Sequence, residues 1–256
     1  RFAQADTIVP GGVQGLDRYA YANNSPIMFA DPSGHNPECG PDGIWCSNNL
    51  EEAYGISFGG DWSADSVSQR AQRAVRTAVR KVARKFASEM GLNNPAMAFS
   101  MVYGAVHFQW GDCEACGGSG GYSYGYQKKE GYHLIAFESI TGIRYDDTIE
   151  RGVKNVVHEL GHIYNQIRGR GPSNDLDNNR SDLRTNRGLF LRPNEPANRW
   201  DWQQHPPAMS INGWTGSETF ADMFIAWTYD AWNTNASAEN VLAVSQAQTW
   251  MSQWMP

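Results

Sequence analysis

The 256-residue chain has no run of eighteen apolar residues, so no transmembrane helix is expected. Charge is scarce: 19% of residues are charged and the net charge is −6, which argues against a nucleic-acid-binding protein. Cysteine is limited to four residues, and the chain has neither a starting Met nor a signal-peptide pattern. The expectation is a processed or excised piece of something longer. Apolar and aromatic residues are plentiful. With 41% hydrophobic content, ten Trp, eleven Tyr and ten Phe, there is material for one sizeable domain plus a small appendage.

The chemistry concentrates at His158-Glu159-Leu160-Gly161-His162, an H-E-x-x-H box. On a helix, histidines four apart project from one face and suit a zinc ion with a carboxylate beside it. Val153, Val156, Val157, Leu160, Ile163, Tyr164 and Ile167 supply an apolar stripe at helical spacing. Chance alone gives such a box in roughly one chain in a hundred of this size, so a second signal is needed. It lies in SETFADMFIAW, residues 217–227. Zinc needs a third protein ligand, and Glu218 opens an apolar helix with Asp222 one turn further along the same face.

The H-E-x-x-H box followed by E-x-x-x-D on a later helix resembles the gluzincin metallopeptidases, the thermolysin-like branch of the zincins. That resemblance implies that Zn2+ is held by His158, His162 and Glu218. It also implies that Asp222 accepts a hydrogen bond from the ring N–H of His158 and fixes its tautomer. The 56 residues from His162 to Glu218 exceed the interval in thermolysin, and an inserted loop costs little. The metzincin pattern wants a third histidine shortly after His162, and IYNQIRGRGP has none. Two imidazoles and one carboxylate leave an open position for water, whose pKa zinc lowers, with Glu159 in reach as general base. Gly161 allows close approach of a neighbouring element. His205 and Tyr229 are candidates for stabilising the oxyanion, though each also has an ordinary structural reading. His107 and His133 read as strand residues.

Residues 1–35 carry RF…D, RYAYANNSP and DPSG in order, and resemble the end of an RHS/YD-repeat core. In that family a variable C-terminal domain, commonly a toxin, follows the DPxG element. Arg18–Ala22 and Pro26–Phe29 read as a short β-hairpin remnant around Asn23-Asn24-Ser25. Such proteins are exported, so disulfides are expected, preferably Cys39–Cys46 and Cys113–Cys116. A structural zinc site built by all four cysteines is the competing reading.

Residues 64–90 read as a helix that stops at Gly91. Within 66–90 seven cationic side chains face one acid, a net +6, which leaves −12 for the rest. Such a face can bind membranes or acidic partners, or be simply solvated. Residues 96–110 and 131–140 are strand candidates, with His133–Ser139 the expected edge strand for substrate. The polar segment 168–210 is expected to line or cover the cleft, and 238–253 to close the domain as a helix through Val241, Leu242, Val244, Ala247 and Trp250.

The expected fold is α+β: a zincin-like domain over 36–256, with a small mixed or antiparallel sheet packed on the active-site helix, preceded by the RHS remnant at 1–35. The expected function is that of a zinc endopeptidase, the C-terminal effector of an RHS-repeat protein, secreted or extracellular and a candidate for delivery into a target cell. Its expected partner is a protein or peptide substrate, with an upstream RHS shell and an inhibitor protein as further candidates. A non-catalytic binding module on the same fold and a zinc amidohydrolase of a non-protein substrate are the alternatives.

Overall fold

A computed structural model describes residues 50–60, 66–111, 121–137, 149–184, 216–232 and 238–256. The chain divides into two compact units, Arg1–Ala53 and Tyr54–Pro256, and the H-E-x-x-H box belongs to the second. The RHS-like segment, the four cysteines and His205 lie outside the described residues.

The architecture is α+β. Helices α1 (Leu50–Tyr54), α2 (Ser66–Glu89), α3 (Pro95–Tyr103), α4 (Ile149–Ile167), α5 (Gly171–Asn178), α6 (Gly216–Tyr229) and α7 (Ala238–Ser252) accompany four strands. The strands are β1 (Ile56–Gly60), β2 (Val106–Trp110), β3 (Gly121–Gln127) and β4 (Tyr132–Phe137), in sheet order β1-β2-β4-β3. β1, β2 and β4 run parallel, and β3 pairs antiparallel with β4. The sheet is therefore mixed.

Two strand expectations are corrected. Residues 96–110 are not one strand. Asn94 Oδ1 accepts the backbone N–H of Met97 at 3.1 Å and Pro95 occupies the first turn, so a capped helix starts there and runs to Gly104, where φ is 64°. Only Val106–Trp110 is extended. The stretch expected at the sheet edge is interior: β4 lies between β2 and β3, and β3 takes the edge. β3 carries Tyr at 122, 124 and 126, the alternation of a strand, but its two glycines and the GGSG run before it read as loop.

α2 forms as its apolar spacing predicts. Ala71, Ala74, Val75, Ala78, Val79, Val82, Ala83 and Phe86 are all buried. Its end is a Schellman turn, with Leu92 N–H donating to Ala87 O and Gly91 N–H to Ser88 O. Three of its cationic side chains are engaged within the domain. Arg76 lies over Phe58, Lys81 over Tyr229, and Lys85 bonds Asp230 at 2.6 Å and Glu89 at 2.9 Å.

α4 buries Val153, Val156, Val157, Leu160, Ile163 and Tyr164. Ile167, which extends the stripe in sequence, is 38% exposed, because Gly169 turns the chain just beyond it. An aromatic cluster around Phe86 gathers Tyr103, Tyr164, Phe224 and Trp227 from α3, α4 and α6. Tyr103 Oη donates to Leu160 O at 3.2 Å, tying α3 to the middle of the H-E-x-x-H turn.

The α4–α6 crossing depends on Gly161. A Cβ there would stand 3.0 Å from Phe224 Cβ and 3.1 Å from Ala221 Cα. Alanine gains about 1 kcal/mol of helix propensity, whereas overpacking a buried contact costs about 1–3 kcal/mol. Gly161→Ala is therefore expected to be net destabilising by up to about 2 kcal/mol. Thermal unfolding of the metal-free protein checks this, and an unchanged or raised Tm would contradict it.

Candidate metal centre

Two helices build the centre. α4 presents His158 and His162 one turn apart, and the first turn of α6 presents Glu218. His158 Nε2 lies 3.1 Å from His162 Nε2 and 3.2 Å from Glu218 Oε2, and His162 Nε2 lies 3.4 Å from the same oxygen. Three donor atoms thus converge on one point that could hold a metal ion. His158 is 2% exposed, whereas the Glu218 side chain is 36% exposed, so the cluster opens to solvent on the Glu218 side.

The opposite ring nitrogens are held from behind. His158 Nδ1 lies 3.0 Å from Oδ1 of the fully buried Asp222. A carboxylate accepts only, so Nδ1 carries a proton, and Nε2 is the nitrogen that faces the cluster and can ligate once its own proton, shared with Glu218, is lost. His162 Nδ1 lies 3.0 Å from Ser217 Oγ, which also accepts from Asn165 Nδ2 at 3.4 Å. Asn165 Oδ1 in turn accepts the backbone N–H of Ser173 at 3.2 Å. Asp177 of α5 accepts Gly216 N–H at 2.8 Å, which fixes where α6 begins. A side chain at Gly216 would overlap the carbonyl of Ser173. α5 and the short 3-10 turn Ser181–Arg184 are the described part of the expected cleft segment, and α5 serves to seat α6.

Glu159 is 5% exposed and sits beside the cluster. Burial raises its carboxyl above the usual carboxylate range, His162 and His158 pull it down, and Glu218 and a hydrogen bond from Ser123 of β3 act as smaller influences. Burial would drive His158 towards neutrality, yet its bonds to Asp222 and Glu218 prevail and hold its pKa at about 10. Burial also opposes ionisation of Glu218, and the two histidines overcome it, leaving the carboxyl far below its usual value.

Metal binding must displace the His158 proton. With the folded pKa raised, protonation stabilises the metal-free protein fully below the ordinary histidine value, and this is lost as pH rises towards 10. Divalent-metal affinity is accordingly expected to strengthen by up to about tenfold per pH unit between pH 6.5 and 8.5. Competition titrations against a chelator across that range check the slope, and a flat dependence would refute proton displacement.

Sequence reasoning found the cluster and Asp222. It missed Ser217, Asn165 and Ser123, which lack any motif; only the position of Ser217 beside Glu218 hinted at a part. Tyr229 is not brought to the centre. It lies eleven residues beyond Glu218 on the same helix, about 16 Å along the axis, with Lys81 Nζ 4.5 Å from its ring centre. His107 and His133 are strand residues, on β2 and β4, as expected.

No family model, no curated protein and no solved structure matches this chain.

Proposed function

We propose that this domain is a zinc-dependent endopeptidase of gluzincin type. The convergence of His158 Nε2, His162 Nε2 and Glu218 Oε2, with Glu159 on the same helix, carries this reading. Two imidazoles and one carboxylate are a donor set that zinc favours; Asp222 keeps a proton on His158 Nδ1, and Ser217 orients the His162 ring. When bound, zinc would lower the pKa of a water molecule and polarise the scissile carbonyl. Glu159 takes the proton from the attacking water and passes it to the leaving amine. Its buried position keeps the carboxylate from being solvated away from that task.

β3 is the edge that supports substrate binding in this reading. Among the described residues it pairs with β4 alone, and it packs on α4 beside Glu159. An extended peptide can add to such an edge through backbone hydrogen bonds and so be cut with little dependence on its side chains. The exposed Tyr122, Tyr124 and Tyr126 offer aromatic surface along the same strand.

RYAYANNSP and DPSG in the first 35 residues support the further proposal that the peptidase is the C-terminal effector of an exported RHS-repeat protein. Elemental analysis of wild type and Glu218→Ala, followed by cleavage assays on labelled casein, tests the peptidase reading. One zinc per wild-type chain with casein cleavage supports it. Absence of zinc from protein never exposed to chelator would overturn it.

A further inference from the structure

α4 ends in a Schellman turn that lets the chain fold back on the helix's last turn. Gly169 has φ +64°, its N–H donates to Gln166 O at 2.9 Å, and Arg170 N–H donates to Asn165 O at 2.8 Å. α5 starts directly after this turn, and its N-terminus lacks a local cap. Arg170, at the cap position, makes no side-chain bond to it, and Pro172 has no N–H to offer. Ser173 carries the first-turn N–H that a cap would take, and the residue is buried, so leaving that group unpartnered would be costly. Asn165 takes the part of the cap: its Oδ1 accepts Ser173 N–H at 3.2 Å across the turn.

The same bond fixes how Asn165 faces the metal centre. A backbone N–H can only donate, so the amide oxygen points at Ser173 and the NH2 group points at Ser217, whose Oγ it meets at 3.4 Å. Ser217 Oγ in turn lies 3.0 Å from His162 Nδ1. Asn165 is 2% exposed and follows His162 by three residues, on the same face of α4. One buried amide thus bridges the N-terminus of α5 and the hydroxyl that stands behind the second histidine.

Resting on the zinc site of the reading above, we infer that Asn165 is a positioning residue that couples metal retention to α5. Capping α5 aims its NH2 group at Ser217, and Ser217 is thereby held against the His162 ring. The distances rank the links. The 3.4 Å contact is the weakest, so Asn165 contributes less to metal affinity than Ser217 does. Coupling of this kind is reciprocal: what a capped α5 adds to metal affinity, bound metal adds to the cap.

The test titrates zinc alone into the full chain against a chelator, for wild type, Asn165→Ala, Ser217→Ala, Ser217→Thr and the double alanine variant. Ser217→Ala is expected to weaken zinc binding about tenfold, the lower end for an outer partner of a metal ligand, and Ser217→Thr, which keeps the hydroxyl, to recover most of the loss. Asn165→Ala is expected to cost about fivefold in wild type and less than about twofold in Ser217→Ala, because its effect passes through that hydroxyl. Hydrogen exchange at the Ser173 amide reads the coupling from the other end, with Asn165 intact. Saturating zinc is expected to slow this exchange about fivefold in wild type and less than about twofold in Ser217→Ala. Additive losses in the cycle, or exchange at Ser173 that zinc affects equally in wild type and Ser217→Ala, would overturn the inference and leave the zinc site standing. If Asn165→Ala fails to fold, the exchange comparison alone decides. Wild type that binds no zinc would overturn the zinc site and this inference with it.

Discussion

Replacing Glu159 with Gln is expected to lower peptide turnover by about a thousandfold while zinc remains at one per chain. Gln keeps the size and shape of the side chain, so packing at this buried position changes little. What it cannot do is accept a proton. The metal donors come from neighbouring positions, two on α4 and one on α6, and none is altered. The substitution also removes a buried charge whose desolvation raises its own pKa, so Tm is expected to hold or rise slightly. Parallel measurements of zinc content, Tm and casein cleavage separate chemistry from folding. Activity within tenfold of wild type, in protein that binds zinc and folds, would remove Glu159 from the reaction. It would move the weight to a binding module that retains the fold.

The parts of this site that were legible in the sequence are those written as local periodicity. His158 and His162 share a helix face because they are four apart, and the buried valines before them set which face turns inward. Glu218 and Asp222 repeat that logic on α6, where the part-exposed Glu218 opens the helix and Asp222, one turn on, is buried. The strands were harder. AMAFSMVY is apolar enough for either state, and a two-residue signal, Asn94-Pro95, decides for helix through a cap and a fixed φ. β3 is fixed by pairing with β4 across a short hairpin, while its two glycines interrupt the tyrosine alternation and imitate a loop locally. Tyr229 illustrates the opposite error. It is near Glu218 in sequence and on the same helix, but the rise of that helix carries it away from the cluster.

Glu218→Ala is expected to abolish stable zinc binding, with affinity falling more than about a hundredfold, the upper end of what losing an outer hydrogen-bond partner costs. Glu218 Oε2 is the only carboxylate oxygen in the converging set, and without it two neutral imidazoles remain to face the divalent charge. Asp222 cannot replace it, since it is fully buried and engaged with the far nitrogen of His158. The fold is expected to tolerate the change. Alanine is the better helix former, and the loss of an acid in the first turn of α6 costs only about 0.3–1 kcal/mol. Metal-free His158 keeps its bond to Asp222, so the ring stays oriented. The metal-free variant also loses the His158–Glu218 ion pair, so it should melt below metal-free wild type, and the gap should widen sharply once zinc is added. Only the wild type gains the stabilisation that a ligand binding the native state supplies. A variant that retains one zinc, and shows the same zinc-dependent rise in Tm as wild type, would place the metal elsewhere and break the link between this cluster and the proposed chemistry.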